Sequence, residues 1–460
     1  MRASFQRYRV PLLLIGAAII RLIVLLAFPG VFAFEQTGAI HGSGAFDTYA
    51  VNLLQTGVYG LSPGVPDAIL PPGYSYFLAG VYALLGRSAL SVGAVHIALD
   101  VLSIALLVEI GRRLFRQMWI GWIAGGLYAV YPYLIFQNLT LIDTPFFMAL
   151  LYAFLLTLIA LRDRDHLDRA AWLLALGGGG LLGVLALARP NVLPLTALIA
   201  LWFLFRRSLL NSILRLIPVA LVSLLVVLPW FIRNANVYGS FGTFSVNGGS
   251  NFYQGNNPQS IPFYRAGYDT QWVTPPAEVI PETPAGDRRW YALTWDYLKA
   301  NPAVVPELLW VKFLTHWSID IFPRLNPVAG IVPSLDAQGN VIPDANAQIT
   351  GDDPVTQYQQ PLFDQIGRVL HRFYFGGLLL LSLIGIVLTF KEWREVSLLW
   401  FVQICMTLIY LIFHPSTRYR VPTDPLLFLF AAATLYTAIT WVGQRLIPHQ
   451  QLSSRLRVRG

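Results

Sequence analysis

The feature that most constrains this chain is a series of eleven apolar runs separated by short charged or turn-rich stretches. They are Val10–Pro29, Ile69–Leu85, Ala89–Leu114, Met118–Phe136, Pro145–Leu161, Ala170–Ala188, Val192–Phe205, Leu209–Ile232, Ile366–Phe390, Val396–Phe413 and Pro422–Val442. Most approach the roughly 20 residues that a helix needs to cross a ~30 Å hydrocarbon core. In lipid every backbone N–H and C=O must find its partner within the protein, so such runs fold as helices. Only 12% of the 460 residues are charged, about half the share in a soluble domain. The chain therefore reads as an all-α polytopic membrane protein. Its basic N-terminus, MRASFQRYR, leads into a run too long for a signal-peptide core, and no A-x-A-like site follows. That run is expected to remain as a first span.

Charge decides how the runs thread, because cytoplasmic loops collect Lys and Arg. The basic clusters are Arg2/Arg7/Arg9, Arg112/Arg113/Arg116, Arg162/Arg164/Arg169, Arg206/Arg207/Arg215, Lys391/Arg394 and the tail Arg445–Arg459. If every run spans, Arg112–Arg116 and each later cluster up to Arg215 falls on the far side. If Ile69–Leu85 lies along the interface instead, all six clusters and both termini fall on the cytoplasmic side. That run, within LPPGYSYFLAGVYALLG, is short, opens with Pro71–Pro72 and is rich in Tyr and Gly. Such a composition suits a juxtamembrane helix. The expectation is about ten spans in a plasma or inner membrane, plus this interfacial helix, with Val192–Phe205 short for a span. The net charge of +8 is spread over the clusters and leaves no basic patch for nucleic acid. The single cysteine, Cys405, lies in an apolar run, which excludes internal disulfides and Cys-based zinc sites.

Under this threading the outer face receives Gly30–Leu70 with the interfacial helix, the Gln137–Thr144 turn, Arg189–Asn191, Arg233–Gln365 and His414–Arg420. The expected organisation is a transmembrane module over 1–232 with a first outer loop at 30–88, and an extracytoplasmic region over 233–365. Transmembrane helices over 366–443 and a basic cytoplasmic tail over 444–460 follow. The 233–365 region alternates turn signals such as GNNP with short helical patterns such as Arg288–Lys299 and Pro306–Thr315. No internal repeat is evident, which counts against an inverted-repeat transporter.

Polar groups gather at the outer ends of the runs. Asp47 heads a short helical pattern in GAFDTYAVNLLQTGVYG, with Tyr49, Leu53 and Leu54 on one side and Gly57 ending it. Asp143 precedes Pro145 in QNLTLIDTP. Each carboxylate can be read as a helix cap or as a catalytic group. Arg189, Arg233, Arg418 and Arg420 stand at outer ends of spans, against the charge rule that holds elsewhere. Arginine suits phosphate, because its guanidinium donates paired hydrogen bonds and stays charged at low dielectric. Ordinary headgroup contact is the other reading. Carboxylates and arginines together at a membrane surface suit removal of a phosphate leaving group from a sugar. A carboxylate takes the proton of the attacking hydroxyl, and the arginines stabilise charge on the phosphate.

The chain resembles the polyprenyl-phosphate-sugar-dependent glycosyltransferases with the type C membrane fold. Within them it is similar to the branch of the protein O-mannosyltransferases and the lipid A aminoarabinose transferases. The resemblance rests on DTYAVNLLQTGVYG, PPGYSYFLAGVYALLG, RRLFRQMWIGWIAGGLYAVYP, LARPN, LPWFIRNANVYGSF, GNNP and RYRVPTDPLL, in that order. It implies Asp47 as the catalytic first-loop Asp and Asp143 as a second acidic residue. It also implies donor-phosphate contacts from Arg418, Tyr419 and Arg420, with Arg189 and Arg233 matching arginines of less defined role. Two departures stand out: a single Asp replaces the Asp-Glu pair of many members, and Leu70 stands where aminoarabinose-transferase-like members carry Lys.

The expected function is inverting transfer of a sugar from a polyprenyl-phosphate donor to a hydroxyl acceptor at the outer face. An acceptor groove is expected from Tyr49, Tyr59, Tyr74, Asn251, Asn256 and His414, with Trp272 nearby. No cofactor is required, although Asp47 with Asp143 could hold one divalent cation. A transporter, flippase or polymerase of lipid-linked glycans remains the alternative, since Arg21, Asp100 and Glu109 lie within apolar runs.

Overall fold

The computed structural model describes residues 2–28, 43–324 and 361–446, with positions 335, 336, 338, 340 and 342. The sequence-defined segments 29–42 and 447–460, and most of 325–360, lie outside it. Among the described residues the secondary structure is helical, with no β-strand.

The helices in chain order are α1 (Arg2–Ala27), α2 (Ser43–Thr56), α3 (Gly73–Leu85), α4 (Ala89–Phe115), α5 (Met118–Ala129) and α6 (Pro132–Asn138). Next come α7 (Thr144–Asp163), α8 (Arg169–Ala188), α9 (Leu195–Leu204) and α10 (Leu209–Tyr238). The shorter α11 (Gly248–Gly255), α12 (Ser260–Ala266), α13 (Pro284–Ala300) and α14 (Val305–His316) follow. The last four are α15 (Pro361–Leu388), α16 (Trp393–Ile412), α17 (Thr417–Arg420) and α18 (Asp424–Leu446).

Among the described residues seven helices are long and apolar enough to cross a membrane, or eight if α5 and α6, bent by 63°, form one broken span. Two of the expected ten, Pro11–Ala27 within α1 and Pro190–Leu204, are apolar but fall short of that length over the described residues. The break in α5–α6 comes at Tyr131, ahead of Pro132. Proline disfavours helical backbone in the residue before it and cannot donate to the preceding turn. The run LPPGYSYFLAGVYALLG forms the short helix α3.

Sequence signals place the helix ends. Ser88, Asp168 and Ser208 cap α4, α8 and α10 by accepting from Ser91, Ala171 and Asn211 backbone N–H groups. The α8–α10 pair packs through the glycines of LGGGGLLG. A Cβ on Gly179 would fall 2.6 Å from the Val222 Cβ, and one on Gly183 2.5 Å from that of Val226. Without a hydrophobic drive between helices in lipid, such close backbone approach supplies much of the packing. The main core joins α4, α5, α7, α16 and α18 through Tyr128, Leu151, Leu155, Val402 and Phe428.

Arg21, Asp100 and Glu109, which lie within the runs, are paired. Arg21 donates to Asp100 through Nε and to the Ala129 carbonyl at 2.9 Å, while Tyr128 and Asn138 also donate to Asp100. This network ties α1, α4, α5 and α6 together. Glu109 accepts from Arg112 and Arg113 at the other end of α4.

Candidate active site

α2 begins at Ser43, so Asp47 lies inside the helix and is not its cap. Gly57, at φ 72°, ends α2, as the sequence predicts. Asp47 is buried under α3. Its Oδ1 accepts from Tyr82 Oη at 2.7 Å and from Arg87 Nε at 2.9 Å. Its Oδ2 accepts from Arg87 Nη2 at 2.7 Å. The guanidinium thus presents a two-pronged fork to the carboxylate. Burial and the Asp47 charge raise the Tyr82 phenol far above its usual range, so it remains a protonated donor.

Asp143 stands at the N-cap position of α7 without capping it. Its side chain turns to Arg189, which donates to both oxygens at 2.6 Å through Nε and Nη2. Burial works against the Arg189 charge, Asp143 outweighs it, and the net shift in the guanidinium pKa is upward. Arg189 also lies over the Phe147 ring at 4.8 Å.

This pair meets the late part of the chain. Asn191 donates to Tyr410 Oη at 3.0 Å, and Tyr410 stacks on Tyr419 at 5.0 Å between centroids. Arg418 donates to Tyr419 Oη, lies over that ring at 4.5 Å, and is within electrostatic reach of Asp269 and Arg189. His414 meets Tyr419 edge-on at 5.3 Å. Burial lowers the His414 pKa to about 4, so the ring is neutral at physiological pH. Asp143, Arg189, Arg418, Tyr419 and His414 therefore form one group. Asp47 belongs to a neighbouring one, and the Tyr74 phenol is within electrostatic reach of both carboxylates.

Other expected site residues are engaged in the frame. Arg420 is fully buried; its Nε donates to Asp424 at 3.1 Å and its Nη1 to the carbonyls of His316 and Ser318 at 2.9 and 2.7 Å. It does not point outward as the span-end pattern suggests. Arg233 donates to the carbonyls of Asp67 and Tyr59 at 2.7 and 2.6 Å and so clasps the first loop. Tyr49 and Tyr59 are buried in a ring stack, 4.2 Å between centroids. Tyr49 donates to Asp67, and Tyr59 to the Leu70 carbonyl at 3.1 Å. Tyr74 is buried and pairs with His96 Nε2 at 2.9 Å. These three are buried core residues of the α2–α3 unit. Asn256 is buried; it donates to the Phe252 and Ile412 carbonyls and accepts from Lys312. Asn251 is half-buried on α11. The side chain of Trp272 lies outside the described atoms.

The pattern reading missed Arg87, Tyr82, Asp67, Asp269 and Tyr410. Arg87 carried a signal: it too is an arginine on the expected outer side, immediately after the interfacial run. Arg420 and Asp424 carried another, because residues four apart on a helix face each other.

A cavity of about 410 Å³ lies between α7, α8, α9 and α10. Leu158, Leu182, Ile199, Leu216, Val227 and Phe231 line it, so it is strongly apolar. Its lining on α10 runs from Leu216 to Phe231, about 22 Å at 1.5 Å per residue. Ala186 and Leu193 line it on either side of Arg189 in sequence. Among the described residues no group of three or more His, Cys, Asp or Glu side chains could hold a metal ion.

Residues 70–232 match the model of the dolichyl-phosphate-mannose-protein mannosyltransferase family. The match runs from α3 into α10, includes Asp143 and Arg189, and leaves Asp47 and Arg418 outside. It bears out the resemblance read from the sequence. No curated protein matches the chain. The fold resembles the archaeal oligosaccharyltransferase AglB from Archaeoglobus fulgidus, solved with an inhibitory peptide and a dolichol-phosphate. The TM-score is 0.54 and the identity 14%, over 96% of this chain and 52% of that one. The apo form of the A. fulgidus oligosaccharyltransferase gives 0.53 and 15%, over 98% and 52%. The form tethered to an acceptor peptide with the NVT sequon gives 0.55 and 14%, over 96% and 51%. The chain thus spans about half the length of these proteins and shares their type C membrane fold.

Proposed function

We propose that the protein is a membrane glycosyltransferase that moves a sugar from a polyprenyl-phosphate donor to a hydroxyl acceptor at the outer membrane face. The observation that carries this reading is the convergence of Asp143–Arg189, from the first half of the chain, with Arg418–Tyr419, from its end. Arginines suit a phosphate head, and an apolar cavity whose lining residues Ala186 and Leu193 flank Arg189 in sequence suits a hydrocarbon tail. The family match and the shared fold support the same chemistry.

In this reading the acceptor oxygen attacks the anomeric carbon as its proton passes to Asp47. The bond from that carbon to the phosphate oxygen breaks, and the polyprenyl phosphate leaves with the electron pair. One displacement inverts the anomeric centre. Asp47 acts as the base, held in direction by Tyr82 and Arg87. Arg418, with Arg189 behind it, stabilises the phosphate. Asp143 orients Arg189, and His414 with Tyr419 borders the sugar. Arg420 and Arg233 support the site through Asp424 and the first loop. Transport has less support, because Arg21 and Asp100 are locked to each other and to α5 and α6.

The test supplies the reconstituted protein with labelled polyprenyl-phosphate sugars and membrane extract as the acceptor source. The expected result is label on a hydroxyl acceptor with inverted anomeric configuration. Movement of intact donor between leaflets, with no transfer from any donor, would overturn the proposal.

A further inference from the structure

The helix α14 in the outer region has its polarity inside out for a helix in water. Its inward face holds Leu308, Lys312, Thr315 and His316, all buried. Its outward face holds Leu309, Trp310, Phe313 and Leu314, exposed by 41, 59, 39 and 51%. The Trp310 and Phe313 rings lie side by side, 5.9 Å between centroids. The exposed charge on the helix, Glu307, sits at its N-terminal end and pairs with Arg265 at 2.5 Å. A helix facing water would carry charge along the outward stripe.

Lys312 fixes where this face sits. Its Nζ donates to the carbonyls of Leu411 and Ile412 at 3.0 and 3.3 Å and to Asn256 Oδ1 at 2.7 Å. Those carbonyls belong to the last turn of α16, where helical partners run out and a cation is favoured. Three acceptors match the three protons of an ammonium group. α14 is thereby pinned to the end of a membrane-spanning helix whose exposed stripe, Ile404, Leu408 and Ile412, leads to the same point. Just beyond α14, exposed Ile319 packs at Gly376 of α15, and Asp320 pairs with Arg372 at 2.6 Å. Apolar side chains next to an ion pair at the end of two spans mark the boundary between acyl chains and headgroups.

We propose that the outward face of α14 lies in that boundary and binds the bilayer surface on the side that holds the candidate site. The site then lies between two interfacial helices, α3 from the first loop and α14 from the outer region. Tryptophan is favoured at this depth, and apolar residues on one face bind by burial in the boundary layer.

Site-directed spin labelling tests this with the full chain in phosphatidylcholine–phosphatidylglycerol vesicles. The one native thiol, Cys405, is buried and is removed as Cys405→Ser. Nitroxides are placed separately through Trp310→Cys and Phe313→Cys, so that failure of one variant to fold leaves the other. Val279→Cys, 96% exposed, and Val387→Cys, 74% exposed on the α15 span, give the aqueous and lipid references. The expected result at 310 and 313 is high collision with molecular oxygen and exclusion of a water-soluble nickel chelate, as at 387. Nickel access equal to that at 279 would overturn the proposal. Exclusion of both quenchers would overturn it too, because it would place a protein partner on this face.

Discussion

Arg87 and Asp47 are forty positions apart, and nothing in either local pattern announces the pair. Asp47 was legible as a helix-borne carboxylate at the end of a span, but its counter-ion depends on α2 folding under α3. Arg87 is about a third exposed, so water screens the pair and its fork geometry matters more than its strength. Arg87→Lys keeps the charge and loses the fork. It is expected to lower kcat about tenfold, roughly 1.4 kcal/mol of barrier, with donor affinity unchanged. A change in donor Kd with kcat intact would place Arg87 on the phosphate instead. The Asp143–Arg189 pair is buried, so removing one partner strands the other. Asp143→Ala is expected to cost about 3–5 kcal/mol, read as a fall in Tm. The double variant Asp143→Asn, Arg189→Met should recover much of that loss; equal Tm for single and double variants would contradict the pairing.

Helices and their ends were the most legible part of the molecule. The capping serines and Asp168, the Gly57 stop and the Pro132 break all act locally, so each could be read from a few neighbouring residues. Arginine orientation could not. Arg420 and Arg418 share one short motif, yet one turns inward to Asp424 and the other toward Tyr419, because a helical turn puts alternate residues on different sides. Arg233 finds backbone carbonyls of the first loop, which carry no sequence signal. The α8–α10 contact makes a prediction at this scale. Gly183→Leu must push Val226 aside or separate the helices, and overpacking of this kind costs typically 1–3 kcal/mol. The measurement is Tm in detergent, with Gly180→Leu as the control because open space surrounds Gly180. Equal effects at the two positions would contradict the close approach.

Over the whole molecule, the apolar runs predicted the helical membrane fold and the α3 helix. Two of the ten expected spans, in α1 and α9, fall outside the seven or eight found among the described residues, and length alone did not reveal the bend in α5–α6. The site was legible only as a set of outer-end residues. Its division into an Asp47 group and an Asp143–Arg418 group depends on tertiary packing. Two buried histidines link the outer region to pH. Burial lowers His414 to about 4 against an opposing pull from Asp269, and burial with the nearby Arg420 charge lowers His316 to about 3. An unfolded histidine titrates near 6.5. Between that value and about 4 the unfolded chain binds more protons, so stability falls as pH falls. The slope reaches roughly 1.4 kcal/mol per pH unit for each histidine. Thermal unfolding from pH 7.5 to 4.5 should show this decline, and His414→Gln should flatten it; an unchanged slope would contradict the burial argument.

In the proposed sugar transfer, Asp47 takes the proton. This is tested by transfer from a labelled polyprenyl-phosphate sugar in vesicles holding wild-type or Asp47→Asn protein. The expected result is a loss of about 10²–10⁴-fold in rate with donor binding retained. Transfer by Asp47→Asn at near the wild-type rate would contradict it.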